Sequence, residues 1–463
     1  MRGRGVFLFH RDLRLSDNTA LIKLAKMGLD LEIVPVFIFD PVQISSSKNA
    51  YFSNPAVQFM CESIDSLNAQ LEGKLVVLHG RTLDELRALH KRSPFTHIAY
   101  NTEWTAFGRR RDSQLAEWAS KAGIEVVTAE DYYLTETSSL EKPYKVLSAF
   151  WKWFLKNGDK MRRVDEYSEF TFAKSKDKTY DTTQFYKPMP ELAMHGGRAL
   201  ALERLAALKS MTDYGETRDF PANKSGTTHL SPYIKFGCVS IREVYWAGMK
   251  AFGKEAPFLR ELVFRDFYAR IYAESADLQH GKVAILDNLD RELGWYSAKS
   301  RAALWKAWTT GSTGFPLVDA GMRELLSTGH QHGRVRMLCA CVLTKYFWID
   351  WREGLKFYYT HLVDADVFSN TAGWGFSSST GADAVPYFRA PFNPFRQSKK
   401  FDADAVYIKQ WVPELRDVSA KDIHNWFDES VRQRAASRYP APIVDFAIAS
   451  KSAITRFREA AKK

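Results

Sequence analysis

The sequence is poor in the features that mark disulfide-rich, zinc-binding, secreted and membrane-spanning proteins. Its 463 residues include four cysteines and no CxxC pair, so neither a zinc cluster nor a disulfide scaffold is predicted. The apolar run from Val6 to Phe9 is too short for a signal peptide and too early for a transmembrane span. We therefore expect an intracellular protein without membrane contact, cytoplasmic or, in a eukaryote, nuclear.

Repeats and glycine-rich nucleotide loops are also missing. The sequence has no repeat of fixed period and no low-complexity tail. Its first apolar run, Gly5 to Phe9, is followed by His10-Arg11-Asp12-Leu13-Arg14 and not by a GxGxxG loop. This argues against a nicotinamide-dependent enzyme.

Positive charge and aromatic residues are abundant. Lys and Arg number 65 against 54 Asp and Glu, a net charge of +11, which favours a polyanionic partner if the excess lies on one face. Phe, Trp and Tyr make up 14% of the chain, more than packing alone requires, so flat aromatic surfaces are expected to have a use. The hydrophobic share of 45% and the mean hydropathy of -0.32 are those of a soluble globular chain.

Strand-like and helix-like segments alternate up to about residue 130. Short β-rich runs cover residues 5–9, 31–39, 74–79, 96–100 and 124–128, with amphipathic segments at 19–26, 57–71 and 83–90. Helix-start residues precede these segments at Ser16-Asp17, Asn54-Pro55 and Thr82. This alternation predicts a Rossmann-like, doubly wound parallel sheet over residues 1–130.

The second half of the chain has a helical period. Apolar residues recur every three or four positions at 198–210, 241–251, 257–273, 302–308, 317–328, 334–348 and 355–362. Residues 131–195 lose the β period and include the polar stretch 170–186, so we predict an interdomain connection there. The predicted fold class is α/β plus all-α, with the helical domain over residues 196–463.

One stretch of the helical half is dense in polar and aromatic residues. It contains Asp350-Trp351-Arg352-Glu353-Gly354, Asp364-Ala365-Asp366, Asn370, Gly373-Trp374, Ser379-Thr380-Gly381 and Phe392-Asn393-Pro394. This run resembles the flavin-binding region of the photolyase/cryptochrome family, most closely its class I-type cyclobutane pyrimidine dimer photolyases. Residues 9–18 and 35–41 resemble the family's opening motifs, and residues 226–233 resemble its flavin phosphate loop. The resemblance therefore runs from residue 7 to about 445.

The resemblance implies a flavoprotein that acts on damaged DNA. Its helical domain would hold FAD, and reduced FAD would pass an electron under blue light to a cyclobutane pyrimidine dimer, which makes the protein a carbon-carbon lyase. A monomer is the family default. Residues 101–107 resemble a segment near the family's antenna site, which leaves open a folate, a deazaflavin, a second flavin or no second pigment.

The resemblance also assigns the flavin contacts. They are Tyr214, Thr227, Thr228, Leu230, Ser231, Arg265, Arg336, Asp364, Asp366 and Asn370. Arg336 and Asp364 would form the ion pair against the isoalloxazine ring, and Asn370 would face N5. The hydroxyls of Thr227, Thr228 and Ser231 precede a predicted helix, a setting that also suits a pyrophosphate.

Electron transfer and lesion recognition are assigned in the same way. Trp374 and Trp351 match the first and second tryptophans of the photoreduction chain, and Trp295 is chosen as the third with Trp305 as its competitor. Glu261 matches the carboxyl group that hydrogen-bonds the dimer. Met337 likewise matches the cyclobutane class, so both residues argue against a (6-4) photolyase.

The predicted DNA face contains both matches and departures. By resemblance the contacts are Arg218, Phe264, Arg334, Phe376 and Gln397. Phe264 and Phe376 stand where such enzymes usually have tryptophan, and Gly333 and His330 replace the usual asparagine and tryptophan. These departures keep a second interpretation open, a cryptochrome-like blue-light photoreceptor without repair.

Overall fold

The computed structural model describes residues 3–28, 31–137, 143–177, 179–382 and 391–462. The chain forms two compact units. Unit 1 contains Met1–Pro190, Met194–Thr212 and Thr228–Ala276, and unit 2 contains Glu191–Ala193, Asp213–Thr227 and Asp277–Lys463. The units thus divide the chain at other positions than residues 130 and 195, and the domain boundaries drawn there stay a prediction.

Unit 1 contains a five-stranded parallel sheet. Its strands are β1 Arg4–Phe9, β2 Glu32–Phe39, β3 Val76–His79, β4 His97–Asn101 and β5 Glu125–Ala129, in the order β3-β2-β1-β4-β5. Gly5 of β1 pairs with Ile33 on one side and with His97 on the other. The order reverses between β1 and β4, so the predicted doubly wound sheet is confirmed.

Helices make up most of the remaining structure. In chain order they are α1 Thr19–Ala25, α2 Pro41–Ile44, α3 Asn54–Gln70, α4 Thr82–Arg92, α5 Ala106–Ala122, α6 Leu147–Asn157, α7 Arg198–Ala207, α8 Tyr214–Thr217, α9 Ser231–Lys235, α10 Ile241–Phe252, α11 Pro257–Ala273, α12 Asp287–Leu293, α13 Ala302–Thr310, α14 Pro316–Thr328, α15 Gly333–Cys341, α16 Trp351–His361, α17 Val367–Ser378, α18 Pro394–Phe401, α19 Val406–Trp411, α20 Ala420–Ile423, α21 Glu429–Ala435 and α22 Phe446–Ala460. The described part of unit 2 is helical, with one isolated bridge between Tyr296 and Ile349. No helix in the described part of the chain has the length and hydropathy of a membrane span.

The helix starts differ in detail from the sequence prediction. Asn18, and not Ser16-Asp17, caps α1 by accepting from the amide of Leu21. Ser53 caps α3, with Pro55 in the first turn. Thr82 lies inside α4, because its amide and hydroxyl donate to Asp40 at the end of β2. A neighbouring strand thus supplies an acceptor that local sequence does not reveal.

Two helical segments also differ from the prediction. The helix predicted over 334–348 ends at Cys341 and continues as a π-helical turn, Val342–Tyr346. Helix α6 forms inside the predicted connection, with Leu147, Phe150 and Phe154 on its buried side. Their three- and four-residue spacing was the signal for this helix.

A network of four buried charges joins the segment after β1 to α10 within unit 1. Arg14 contacts Asp131 at 2.5 Å, and Arg242 contacts Asp131 and Asp17 at 2.7 Å each. All four side chains are at most 2% exposed. Burial alone would raise the pKa of Asp131, but the two guanidinium groups hold it well below its usual range.

Candidate active site

Helices α15, α16 and α17 of unit 2 carry one group of the predicted site residues, and α17 packs against both of the others. Each begins at a side-chain cap. Nδ1 of His332 accepts from the amide of Arg334, Asp350 caps α16, and Asp366 accepts from the amides of Phe368 and Ser369. The carboxylate of Asp366, predicted as a flavin contact, therefore has a structural task at the start of α17.

Arg336 and Asp364 meet as the sequence predicts. Nη1 and Nη2 of the arginine each lie 3.1 Å from a different oxygen of the carboxylate. Nε of Arg336 donates to the carbonyl of Gln331 at 2.7 Å, which fixes the plane of the guanidinium group. The side chain of Asp364 is 6% exposed and that of Arg336 is 27% exposed, so the pair is largely shielded from solvent.

Asn370 lies in the first turn of α17. Its Nδ2 donates to the carbonyl of Leu355 on α16 at 3.2 Å, which orients the side-chain amide. Met337 on α15 and Phe376 on α17 are half-buried, as is Gln397 on α18.

The first two predicted tryptophans are buried in unit 2, and the third is only partly buried. Trp374 is 3% exposed and Trp351 is 1% exposed, whereas Trp295 is half-buried. Gly354 lies one turn after Trp351 on α16, and any Cβ there would collide with the six-membered ring of Trp374. The glycine thus lets the indole on α17 lie directly against the backbone of the helix that carries Trp351.

One carboxylate connects the second and third tryptophans. The indole N–H groups of Trp351 and Trp295 both donate to Oδ1 of Asp290, at 2.9 and 2.8 Å. Oδ2 of Asp290 contacts Arg352 at 2.6 Å. Sequence reasoning did not identify Asp290.

A second row of tryptophans also starts at Trp374. The ring centroid of Trp308 lies 6.2 Å from that of Trp374, and Trp305 stacks on Trp308 with centroids 5.6 Å apart. Trp308 is fully buried and Trp305 is half-buried. Trp295 is therefore linked to buried Trp351 through Asp290, whereas its predicted competitor Trp305 is linked to buried Trp374 through Trp308.

Arg334, predicted to contact DNA, lies against an aromatic ring. Its Nη2 contacts Asp219 at 2.7 Å, and its guanidinium carbon lies 4.6 Å from the ring centroid of Phe401. Nζ of Lys400 lies 5.1 Å from the same ring. Asp219 and Phe401 were not singled out in the sequence.

Arg218, the other arginine predicted to contact DNA, lies 5.8 Å from the ring of Tyr214, and both residues are half-buried.

The predicted site residues of unit 1 lie on α11 and around α9. Glu261 is exposed, and Phe264 and Arg265 follow it on α11 as half-buried residues. Nη1 of Arg265 donates to the carbonyl of Tyr132 at 2.6 Å, so one of its donors is already engaged within unit 1. Leu230 is buried and precedes α9, and Ser231 is exposed. Thr227 in unit 2 and Thr228 in unit 1 are half-buried.

The departures at residues 330 and 333 have visible consequences. Nδ1 of His330 lies within hydrogen-bond distance of Oε1 of Glu324, at 3.3 Å. A Cβ at Gly333 would meet nothing within 4 Å, so packing does not require glycine there.

Burial lowers the pKa of His332 to about 4, so its ring is neutral at neutral pH. Since Nδ1 of His332 accepts a hydrogen bond, its proton lies on Nε2.

The described ranges contain no candidate metal-binding site. They contain no group of three or more His, Cys, Asp or Glu side chains placed to hold a metal ion. The four cysteines are buried and unpaired with one another.

Comparison with known proteins identifies the family of both halves of the chain. Residues 5–166 match a family model described as DNA photolyase, and residues 258–459 match the FAD binding domain of DNA photolyase. A deoxyribodipyrimidine photo-lyase of Alkalihalophilus pseudofirmus is 34% identical over 97% of each chain.

Solved structures give the same result. An archaeal photolyase from Sulfolobus tokodaii, solved with two FAD molecules, has a TM-score of 0.86 at 34% identity and covers 98% of this chain and 100% of its own. A class III photolyase from Agrobacterium tumefaciens has a TM-score of 0.88 at 30% identity, covering 100% of this chain and 98% of its own.

The residues of unit 2 fit a flavin. A fixed arginine-carboxylate pair, an oriented amide and a buried tryptophan lie on α15, on α17 and in the segment before α17, and they supply polar and aromatic groups of the kind that can bind a flavin ring. The predicted family, two-part fold and FAD are thereby confirmed. With a relative 34% identical along almost its whole length and both family models matched, this chain belongs to the DNA photolyase family, whose FAD-binding domain forms its C-terminal half.

Proposed function

We propose that this protein repairs cyclobutane pyrimidine dimers in DNA by light-driven electron transfer from reduced FAD. Two relatives named deoxyribodipyrimidine photo-lyase match 97% and 96% of its length, which supports the same reaction here. The observation that carries the proposal is the Arg336–Asp364 pair, formed between α15 and the segment that leads into α17, the helix that holds Asn370 and Trp374.

Bound FAD would supply a one-electron donation under light, with the electron returned after the ring of the dimer opens. Arg336 and Asp364 would hold the flavin ring, and the amide of Asn370 would face its N5. The phosphates would be held by Thr227, Thr228, Ser231 and neighbouring groups, including Tyr214, Leu230 and Arg265. No side chain acts as a nucleophile in this account.

The lesion would be bound by few polar groups. Glu261 is exposed on α11 and is proposed to hydrogen-bond the dimer and stabilise it as it gains an electron. Met337, Phe264 and Phe376 would supply the apolar walls around the flipped bases. Half-buried phenyl rings can still stack on bases, though over a smaller area than indoles.

DNA binding would follow from charge. Arg334 on its aromatic support, Arg218 and Gln397 are the proposed contacts with the strand, and the net charge of +11 favours a polyanion. We further propose an intracellular monomer. A second, light-harvesting pigment in unit 1 is supported by the second FAD of the archaeal relative.

Photoreduction would refill the flavin with electrons. Trp374, Trp351 and Trp295 are proposed as the route, supported by the shared acceptor of Trp351 and Trp295 and by the ring of Trp374 against Gly354 on α16. Trp374→Phe should block photoreduction of oxidised flavin while sparing repair by chemically reduced protein. Unaltered photoreduction would remove the route.

The decisive variant for lesion binding is Glu261→Ala. We expect it to lower the repair yield of a thymine-dimer oligonucleotide while leaving flavin absorption unchanged. Loss of flavin instead would show that Glu261 belongs to another part of the site. A protein that binds flavin and repairs no lesion would favour the photoreceptor.

A further inference from the structure

Asp290 occupies a special position between two of the proposed electron carriers. A single oxygen, Oδ1, accepts from the indole N–H of Trp351 at 2.9 Å and from that of Trp295 at 2.8 Å. Asp290 is 5% exposed, so bulk water screens its charge little. The two tryptophans thus share one buried anion.

Without the Asp290 carboxylate, the positive charge of Arg352 would disfavour the loss of an electron from Trp351. The guanidinium carbon of Arg352 lies 4.6 Å from the ring centroid of Trp351. An arginine over a neutral indole is attractive, but an indole that has lost an electron is itself positive and would be repelled. Asp290 contacts both Arg352 and the indole nitrogen, so it offsets this repulsion.

The second tryptophan row offers a comparison within the same unit. The indole N–H of Trp308 donates to the backbone carbonyl of Cys339 at 3.0 Å. That acceptor is neutral, whereas the acceptor for Trp351 and Trp295 is a carboxylate, and hydrogen bonds to ionised acceptors are roughly twice as strong. The geometry allows both rows, and the electrostatics favours the row with the anion.

From this we propose that Asp290 is a positioning residue of photoreduction, which holds positive charge on Trp351 and Trp295 and makes their row the main electron route. Trp308 and Trp305 then form a minor branch. This inference rests on the proposed photoreduction route and goes beyond it by assigning the counter-charge and the order of the two branches.

The electron steps balance along the row. Trp374 gives one electron to light-excited oxidised flavin and is refilled by Trp351, which is refilled by Trp295. The positive charge ends on half-buried Trp295, where a thiol reductant in the medium returns one electron. No covalent bond forms or breaks, and Asp290 keeps its charge throughout.

The direct test is Asp290→Asn in the full-length, FAD-loaded protein. The amide keeps an oxygen for the indole N–H groups and removes the charge. Flash-induced transient absorption should show that the tryptophan radical signal decays about tenfold faster, the effect of a tenfold change in one rate constant. Trp305→Phe should then slow photoreduction more in the Asp290→Asn background than in the wild type.

Asp350→Asn is the matched control. Oδ1 of Asp350 accepts from the amide of Arg352 and from its Nη1, at 2.9 and 3.1 Å, and not from an indole. Asparagine at this position can still cap α16. We expect the wild-type radical lifetime in this variant. Equal decay in the two variants would overturn the inference, because the effect would then come from Arg352 alone.

A second variant separates charge from damage to the fold. In Asp290→Asn/Arg352→Gln both charges are gone and the two amides can pair, so part of the radical lifetime should return. Thermal unfolding should stay close to wild type, and ultraviolet resonance Raman spectra recorded without flavin should show both indole N–H groups still hydrogen-bonded, with the smaller band shift of a neutral acceptor. A short lifetime in the double variant with intact indole hydrogen bonds would contradict the proposed role. Failure of wild-type protein to photoreduce at all would instead contradict the proposed function.

Discussion

Arg336 and Asp364, 28 residues apart in sequence, meet through two contacts of 3.1 Å, of which the one from Nη2 to Oδ2 is a hydrogen bond. The planar guanidinium group matches the carboxylate at both oxygens, a geometry that lysine cannot reproduce. The carbonyl of Gln331 accepts from the third nitrogen, Nε of Arg336, so a backbone group of the protein holds the guanidinium plane.

Asp364→Asn should weaken FAD binding. The variant removes the charge and puts an amide donor opposite an arginine donor. Hydrogen bonds to charged groups are worth about 1.5–3 kcal/mol, so we expect roughly a ten- to hundredfold loss of affinity in a flavin-release titration. Asp445→Asn is the comparison, because asparagine can still cap α22 and Asp445 is no predicted flavin contact. Equal losses in both variants would show that the ion pair has no special role in holding the flavin.

Arg334→Ala should weaken DNA binding and reduce its salt dependence. If Arg334 neutralises one phosphate, the slope of log affinity against log salt should fall by about 1. Arg334→Lys keeps the charge but loses the planar stack on Phe401, so its affinity for DNA should lie between those of the wild type and Arg334→Ala. Arg434, which pairs with Asp422 elsewhere in unit 2, serves as the control. An unchanged slope in Arg334→Ala would remove this arginine from the DNA face.

Asp131→Asn should destabilise the fold strongly. Breaking a buried ion pair costs about 3–5 kcal/mol, and this carboxylate has two arginine partners that are 1–2% exposed. We expect a loss of that size in denaturant unfolding. Lys26 and Asp165 form an exposed pair at 3.2 Å, and Asp165→Asn should cost only about 0–1 kcal/mol.

The same carboxylate predicts a direction for acid unfolding. The pKa of Asp131 in the folded protein lies below its unfolded value of about 3.9. Its contribution to the free energy of unfolding is therefore complete above that unfolded value and is lost as pH falls through the folded pKa. Asp131→Asn should flatten the stability curve below about pH 4. A curve parallel to that of the wild type would mean that other groups control acid unfolding.

The sequence predicts best where local pattern and tertiary structure agree. Helix α11 has the predicted bounds, 257–273, because Pro257 fits a first helical turn and the apolar period continues to its end. Trp351 and Trp374 were found because they lie in recognisable motifs. Asp290 lies 61 residues before Trp351, and Phe401 lies 67 residues after Arg334. No local pattern encodes such pairings, since they arise only when separate helices pack.

The measurement that tests the account most directly is blue-light repair by the purified, chemically reduced protein. Two oligonucleotides are offered, one with a thymine cyclobutane dimer and one with a (6-4) lesion, each in light and in darkness. We predict loss of the cyclobutane dimer alone, and only in light, which would also show that Phe264, Phe376 and Gly333 are compatible with repair. Flavin-loaded protein that leaves both lesions intact under light would contradict the account.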